Sequence, residues 1–436
     1  MTHVWRPILF YSFVAFFLIA SVALVLYGTG YRYNHSKRTL EKTGELIMET
    51  QPKGASVLMD GKDIGKKTPL HLKYILPGTY RLTITKEGYL PFTREISISS
   101  GLVAIVNDVV LIKDLGVALL FSHPDTIKGI SAITQESIFF TTDKSFFIYD
   151  RNSGQVKELV HTAAKINVIS SNSSPSFYVY SKTQGFIVEK NTGVAKNVSA
   201  PLSTMHSIVW TESEKLFGIT PKGIVTYDPF SLQSNYIAKG VFHDLAVDSG
   251  IISTIEERND RFFLLQLDSV NREKKTNIYE VKKNTKRFVK DAYPFVILQT
   301  EQGEFFSVEQ AKRASSAPID EIQKLVFPSS DTRIAASEYE IWLFEKGIAE
   351  KNKRLLMRRA DPIIDATLIE GAPYVLVGGR DILELLEISN HPTSNHYEIM
   401  SSERIGDSIY DSKEKKVFFT VENSEGSKVY ERLLIE

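Results

Sequence analysis

Residues 130–159 read ISAITQESIFFTTDKSFFIYDRNSGQVKEL. Short apolar runs alternate with turn residues along this stretch, which is typical of strands joined by tight turns. The pattern predicts four strands, at Ile130–Ile133, Ser137–Phe140, Phe146–Tyr149 and Gln155–Leu159, with a turn at Asn152–Gly154 before the last. Because no helical pattern separates these runs, the stretch predicts one four-stranded antiparallel sheet.

The second strand of this unit recurs along the rest of the chain. Its eight copies begin at Ser137, Ser176, Lys215, Gly250, Tyr293, Arg333, Pro373 and Lys416. A period of about 40 residues is typical of four-stranded propeller blades. The period-two alternation excludes helical solenoids, whereas a tandem array of sandwiches stays open. The repeat predicts an eight-bladed β-propeller, or seven blades if the fourth or fifth unit is an insertion.

An apolar strand without a unit of its own precedes the first repeat. It lies at Gly116–Phe121, and the last unit ends after an apparent third strand. If this strand paired with the last unit, the ring would be closed and no strand edge would stay unpaired. We therefore predict that Gly116–Phe121 pairs with the segment around Val429–Leu434.

The N-terminal region contains one long uncharged segment. No charged side chain occurs from Pro7 to Tyr31, and Ile8–Tyr27 is almost continuously apolar. About 20 such residues cross a bilayer core, and aromatic residues near both ends suit its interfaces. A cleaved signal peptide is the alternative, but its apolar region is shorter and ends in a small-residue cleavage site. We predict a retained transmembrane helix.

The segment that follows is a compact β unit. Alternation at Ala55–Met59 and Tyr80–Ile84 predicts strands with one buried face. Turn-forming residues separate the strands, including Asp60-Gly61, which suits a tight hairpin, and Pro77-Gly78, where we expect Gly78 to hold a positive φ.

These turn positions resemble those of the PEGA domain, a small β-sandwich of bacterial envelope proteins. The tetrapeptide that names the family stands here as Pro52-Lys53-Gly54-Ala55, with lysine where the family often has glutamate. The other matching positions are Val57, Asp60, Gly61, Gly65, Thr68, Pro69, Leu72, Pro77, Gly78, Tyr80, Lys86, Gly88 and Tyr89. The resemblance implies an accessory module without catalytic residues, in which the turn residues and Tyr80 and Tyr89 are structural. Single repeat units around Arg333–Pro362 also resemble blades of TolB-like envelope propellers.

The sequence therefore predicts an all-β protein with one transmembrane helix. We expect a tail at 1–6, the helix at 7–29, a linker at 30–43, a PEGA-like β-sandwich at 44–113 and the propeller at 114–436.

Composition and motifs point away from the common chemistries. The chain has no cysteine, which excludes disulfides and thiolate ligands, and its 52 basic and 52 acidic residues argue against nucleic acid as a partner. No zinc-hydrolase, nucleophile-elbow, P-loop or EF-hand motif occurs. We predict no catalytic, metal-binding or cofactor-binding residues. The pair His391 and His396 is expected in a solvated loop. Asp143, Asp228, Glu256, Glu257 and Asp260 are expected in or near turns.

One basic cluster is a candidate patch for an anionic ligand. It is centred on Lys282, Lys283, Lys286 and Arg287. Such a patch could bind an anionic polymer or lipid head groups, but a charged solvated rim explains the same residues.

The functional prediction is a non-catalytic envelope protein that is anchored by its helix and binds a surface polymer or a partner protein. An envelope hydrolase or lyase acting at the propeller channel is one alternative, and a scaffold subunit of a membrane complex is another. More basic residues follow the helix than precede it, which favours a cytoplasmic C-terminal region by the positive-inside rule. The PEGA resemblance implies the opposite topology: a single pass through the cytoplasmic membrane with most of the chain outside the cytoplasm.

Overall fold

The computed structural model describes residues 5–35, 37–170, 174–211, 213–248, 251–268, 275–281, 285–288, 297–300, 305–307, 324–326, 332–345, 353–388, 394–402 and 404–436. The chain forms two compact units. The first consists of the described residues of Met1–Gly116, Ser389–Asn395 and Leu433–Glu436, and the second of those of Val117–Ile388 and His396–Arg432.

The first unit contains one helix and nine strands. The helix α1 spans Trp5–Gly28. The strands are β1 (Tyr31–Asn34), β2 (Thr39–Lys42), β3 (Gly44–Gln51), β4 (Ser56–Met59), β5 (Lys62–Lys67), β6 (Leu70–Ile75), β7 (Gly78–Thr85), β8 (Phe92–Ile98) and β9 (Val103–Val110).

Strands β3 to β9 form a two-sheet sandwich. One sheet has the order β6-β3-β9, and the other has the order β5-β4-β7-β8. Inward side chains alternate with exposed ones, most regularly along β8, as the sequence pattern predicts for a strand with one buried face. The core between the sheets includes Leu46, Met48, Val57, Leu82 and Phe92, which are all fully buried.

No residue of helix α1 between Ile8 and Gly28 is buried. The segment Ile8–Gly28 has a mean hydropathy of 2.6 and is long and apolar enough to cross a membrane. Its large side chains are exposed, including Phe13, Phe16 and Leu24. A water-soluble fold does not leave such a surface uncovered, whereas a lipid-embedded helix does, and so does a signal sequence near an N-terminus.

The regular elements among the described residues of the second unit are all strands. They are β10 (Ala118–His123), β11 (Gly129–Ile133), β12 (Ser137–Thr141), β13 (Ser145–Asp150), β14 (Gln155–His161), β15 (Asn167–Ser170), β16 (Ser176–Tyr180), β17 (Gly185–Glu189), β18 (Ala195–Val198), β19 (His206–Trp210), β20 (Leu216–Thr220), β21 (Gly223–Tyr227), β22 (Ser234–Lys239), β23 (Val241–Asp248), β24 (Ile251–Arg258), β25 (Arg261–Asp268) and β26 (Lys275–Val281).

The remaining strands are β27 (Thr285–Phe288), β28 (Ile297–Thr300), β29 (Phe305–Ser307), β30 (Lys324–Val326), β31 (Thr332–Ala336), β32 (Glu340–Glu345), β33 (Lys353–Arg358), β34 (Asp365–Ile369), β35 (Tyr374–Gly378), β36 (Ile382–Glu387), β37 (His396–Ser401), β38 (Ile405–Asp411), β39 (Lys416–Asn423) and β40 (Gly426–Leu433).

These strands form a series of antiparallel sheets that pack side by side. Strands β11 to β14 form one four-stranded sheet, and the same order repeats in the sheets that begin with β15, β19, β23, β30 and β34. The first strands of neighbouring sheets contact each other, as in the pairs β15 with β19, β19 with β23 and β34 with β38. Neighbouring sheets also share apolar layers, such as that of Phe139 and Phe146 with Phe177 and Val179. The second unit is therefore a propeller, and the alternative prediction of a tandem array of sandwiches is wrong.

The repeat positions agree with the structure. The strands β12, β16, β20, β24, β31, β35 and β39 begin within one residue of the predicted starts. The predicted strand at 293–296 lies outside the described residues. The described residues on either side of it form a three-stranded sheet with the order β27-β28-β29. The described residues thus form seven four-stranded sheets and this three-stranded one in the second unit. Eight blades stay a prediction.

The predicted closure of the ring is confirmed. The last sheet has the order β10-β40-β39-β38, in which Ala118 pairs with Glu431 and Phe121 with Val429. The first strand of the unit thus becomes the outer strand of the last sheet. This sheet packs on the first one through Phe121, Phe418 and Val429, which lie in one apolar cluster with Ile130 and Phe140.

Aspartates on the first strands also link one sheet to the next. Asp407 Oδ2 accepts a hydrogen bond from the Ile130 backbone N–H at 2.7 Å. Asp244 Oδ2 accepts one from the Phe288 N–H at 2.9 Å, and Asp365 Oδ2 one from the Ser408 hydroxyl at 3.1 Å. Because each of these hydrogen bonds joins two neighbouring sheets, they fix the stagger between adjacent sheets.

Candidate functional site

The described residues of the second unit include a groove of about 610 Å³. Three sheets contribute to it: the first through the β11–β12 turn, the second through the turn after β17, and the last through β38 and the turn after it. The lining residues are Ile133, Thr134, Gln135, Glu136, Ser137, Lys190, Asn191, Ile409, Tyr410, Asp411, Ser412 and Lys413. We call this surface the three-sheet groove.

The three-sheet groove is lined mainly by hydrogen-bonding side chains. Hydroxyl, amide, carboxylate and ammonium groups all face it, with acidic and basic residues in balance. One of its two carboxylates serves its own turn, because Asp411 Oδ1 accepts the Lys413 N–H at 2.8 Å and the Glu414 N–H at 3.4 Å. Glycoside chemistry needs two carboxylates in separate roles, and Asp411 is already committed to the backbone. The groove is suited to binding a polar ligand.

An ion-pair network fixes the boundary between the last and the first sheet beside the groove. The Arg151 guanidinium binds both carboxylate oxygens of Glu414, and its Nη2 to Oε2 distance is 2.8 Å. Lys416 Nζ lies 3.1 Å from both oxygens of Glu431, and Arg151 also approaches Glu431 at 3.5 Å. The Arg151 side chain is only 15% exposed and that of Glu414 19%, so water screens this pair weakly.

The network shifts the ionisation of both partners in the direction of charge. The hydrogen bond from Arg151 lowers the pKa of Glu414 below its ordinary value. The same hydrogen bond raises the pKa of Arg151. Arg151 also holds the turn of the groove directly, since its N–H donates to the Glu136 carbonyl at 2.8 Å and its Nη1 donates to the Thr134 carbonyl at 3.2 Å. The turn at 134–136 is therefore preorganised.

Two lining residues are partly buried. Burial raises the pKa of Tyr410 to about 12, and the neighbouring Glu370 and Asp411 add to the shift. Burial lowers the pKa of Lys190, whose Nζ lies 5.2 Å from the centre of the Phe177 ring. At neutral pH the Tyr410 hydroxyl is thus neutral, and it donates to the Glu370 carbonyl at 3.5 Å.

The PEGA-like turn residues lie where the first unit reverses its chain. Asp60 and Gly61 both hold positive φ, at 49° and 78°, and form the two-residue loop between β4 and β5. Gly54, Gly65 and Gly88 also hold positive φ. The peptide bonds before Pro52 and Pro69 are cis.

Hydrogen bonds of two buried threonines and of two partly buried tyrosines stabilise these turns. The Thr68 hydroxyl accepts the Ala55 N–H at 3.0 Å and lies 2.6 Å from the Thr50 hydroxyl. Tyr80 donates its hydroxyl to the Leu76 carbonyl at 2.8 Å, next to Pro77, and Tyr89 donates to Glu436. These contacts stabilise turns.

The expectation for Gly78 is wrong. Gly78 is the first residue of β7, and its φ is not positive. It pairs with Ile98, so its backbone is extended and any residue could adopt it. The Pro-Gly dipeptide is followed directly by a strand, and the chain reverses before Gly78 instead of at it.

The predicted anionic-ligand patch lies outside the described residues. Lys282 and Lys283 are not described, and for Lys286 and Arg287 only the backbone of β27 is. His391 is likewise outside the described part, whereas His396 begins β37. Among the predicted turn carboxylates, Glu256 and Glu257 lie in β24, near its end, and pair with Arg258 and His243. No group of three His, Asp or Glu that could hold a metal ion occurs within the described ranges.

Each of the two units is similar to known proteins. Residues 43–108 match the model of the PEGA domain. This segment is a PEGA domain. Its sandwich begins at Gly44, one residue after the match begins.

The second unit resembles solved propellers. The Dos1 propeller aligns with a TM-score of 0.50 at 11% identity, over 74% of this chain and 95% of that one. Dihydro-heme d1 dehydrogenase NirN in complex with DHE aligns with a TM-score of 0.50 at 12% identity, over 72% of this chain and 74% of that one. At these identities the likeness concerns the fold alone. No curated protein sequence matches the chain significantly.

The three-sheet groove was not found from the sequence. Its residues come from three separate turns, and the last of them lies more than 200 positions beyond the other two, so no local motif contains them. The usable signal is that Gln135, Asn191 and Ser412 all occupy turns at equivalent ends of repeat units, which a propeller brings to one rim.

Proposed function

We propose that the chain is a non-catalytic binding protein held at the cytoplasmic membrane by α1, with its PEGA domain and propeller outside the cytoplasm. The propeller binds a surface polymer or a partner protein through the three-sheet groove. The observation that carries this proposal is a preorganised, polar groove in a chain that also bears a fully exposed apolar helix.

The chemistry of the groove supports binding over catalysis. Its carboxylate Asp411 caps its own turn, and its lysine Lys190 lies against an aromatic ring. The remaining groups suit hydrogen bonds to a hydroxyl-rich polymer or to a polar protein loop. The likeness to a dehydrogenase does not carry activity to this chain, because it concerns the fold alone at 12% identity.

The domain division is part of the proposal. We assign the anchor to 7–29, a linker to 30–43, the PEGA domain to 44–113 and the propeller to 114–436.

Site-specific photo-crosslinking tests the groove. A benzophenone amino acid replaces Tyr410 in the full-length chain, and the same replacement at Tyr236, an exposed tyrosine on β22, is the matched control. We expect light-dependent adducts in cells from position 410 and not from 236. Sensitivity of the adduct to protease or to polysaccharide hydrolases distinguishes the two ligand classes. Equal labelling at both positions would contradict the proposal.

A further inference from the structure

The end of helix α1 is joined rigidly to one end of the PEGA sandwich. The Thr43 N–H and hydroxyl both donate to the Gly30 carbonyl, at 2.9 and 2.7 Å, and Thr43 is buried. The Gly101 N–H in turn donates to the Thr43 carbonyl at 3.1 Å. Two hydrogen-bonded steps thus connect Gly30, two residues beyond the helix, with the turn between β8 and β9.

The backbone of Gly44 packs closely against residues Ile98 and Ser99 at this connection. A Cβ at Gly44 would lie 2.6 Å from both the Ile98 side chain and the Ser99 carbonyl, so only glycine fits. Adjacent strands are spaced about 4.8 Å apart, so two such steps put the β8–β9 turn roughly 10 Å from Gly30. The turn therefore lies beside the exit of the helix.

Exposed apolar side chains gather at this same end. Leu102 is 63% exposed, Val103 48% and Tyr74 53%. Ile105 follows on the outward face of the edge strand β9 and is 63% exposed. We call Tyr74, Leu102, Val103 and Ile105 the exit patch. A solvated sandwich does not concentrate uncovered apolar residues at one end without a partner.

Two cations lie beside the exit patch, and the acidic Glu45, which pairs with His71, stands opposite Val103. The Arg32 guanidinium lies 3.7 Å from the Tyr27 ring centre and 4.4 Å from that of Tyr74, and so links the last turns of the helix to the patch. Lys42 is exposed and lies against the Gly101 turn. Aromatic rings and basic side chains beside an apolar span are the composition of a membrane interface.

We infer that the exit patch of the PEGA domain rests in the head-group region of the bilayer, beside α1, with Leu102 and Val103 in contact with lipid and Arg32 and Lys42 next to phosphate groups. The helix and the patch then form one continuous lipid-contacting surface, which fixes the sandwich on the membrane. This inference rests on the proposed role of α1 as an anchor. It does not depend on what the propeller binds.

The chain has no cysteine, which permits a direct test by single labels. Leu102→Cys and Val103→Cys carry a polarity-sensitive fluorophore in the full-length protein, reconstituted into vesicles of phosphatidylcholine and phosphatidylglycerol. Leu115→Cys is the matched control, because Leu115 is 45% exposed and follows the opposite end of β9, about 25 Å away. Val22→Cys reports on the helix itself.

We expect spin-labelled lipids with a shallow quencher to remove most of the emission at 102 and 103 and little at 115, while a deep quencher acts at 22. Quenching at 22 with no difference between 102 and 115 would overturn the inference and leave the anchor intact. Blue-shifted but unquenched emission at 102 would mean that protein covers the patch, which also overturns it. The absence of quenching at 22 would remove the anchor and the inference together.

Discussion

Asp407 Oδ2 accepts a hydrogen bond from the backbone N–H of Ile130 at 2.7 Å, although 277 positions separate the two residues. Ile130 lies in the first sheet of the propeller and Asp407 in the last. The bond therefore spans the seam at which the ring closes. The seam has two further components, the β10–β40 pairing and the Arg151–Glu414 pair.

Removal of this seam contact should weaken the propeller. Asp407→Ala leaves a nearly buried amide without its acceptor, which costs about 1–3 kcal/mol of the free energy of unfolding. Asp361→Ala, at an exposed position in the same unit, is the control and should have little effect. Chemical denaturation of both variants measures the difference. Equal stability of the two variants would mean that the seam contact does not hold the sheets together.

The end of the chain should stabilise both units. Deletion of 431–436 shortens β40 and removes Leu434 and Ile435, which are 0% and 4% exposed. Full burial of one such side chain contributes about 1.5–3 kcal/mol. We expect the thermal transitions of the PEGA domain and of the propeller both to fall. Glu431→Gln keeps the strand and should lower only the propeller transition, so an equal effect of the two changes would argue against a structural role for the strand.

The Arg151–Glu414 pair predicts a pH dependence with a defined sign. The pKa of Glu414 is lower in the folded state than the unfolded value of about 4.3, so its stabilisation is complete above that value. It is lost as the pH falls through the lowered pKa of the folded state. Glu414→Gln should therefore be less stable than the parent chain by about 1–3 kcal/mol at pH 7, and the difference should shrink below pH of about 4.

Denaturation of Glu414→Gln and the parent chain between pH 3 and pH 7 checks this expectation. Glu189→Gln is the control, because the Glu189–Lys196 pair is well exposed and such pairs contribute little. A constant difference over the whole range, or a larger effect at Glu189, would contradict the assignment.

Backbone conformation predicts opposite outcomes for two PEGA glycines. Gly61 holds a φ of 78° with no atom near its missing Cβ, so Gly61→Ala costs about 1 kcal/mol through backbone strain alone. Gly78→Ala meets only an ordinary contact with Tyr80 at 3.6 Å in an extended backbone. Its thermal transition should match that of the parent chain. A larger loss at Gly78 than at Gly61 would contradict the assigned turn.

Much of the fold followed from local patterns in the sequence. The period of about 40 residues located the strands of each sheet, and the unassigned segment at 116–121 identified the closing strand because an unpaired edge is costly. The PEGA turns were recognisable because glycine and proline restrict the backbone strongly. Gly78 shows the limit of that argument, since a Pro-Gly pair does not specify which residue carries the positive φ.

The candidate site could not be predicted from local sequence patterns. Gln135, Lys190 and Tyr410 meet because three sheets converge, and the stagger of those sheets depends on contacts such as Asp407 with Ile130. A recurring aspartate on the first strands, at 244, 365 and 407, was present in the sequence as a signal. Its meaning depends on which sheets are neighbours.

The side of the membrane on which the propeller lies can be measured with single cysteines. Leu232→Cys introduces the only cysteine at a position that is 65% exposed in the propeller, and Thr2→Cys introduces one before the helix. A membrane-impermeant maleimide is added to intact cells that express each variant, and labelling is compared with that of permeabilised cells. We predict that position 232 is labelled in intact cells and position 2 only after permeabilisation. Labelling of position 232 only after permeabilisation would contradict the claim that the propeller is anchored outside the cytoplasm.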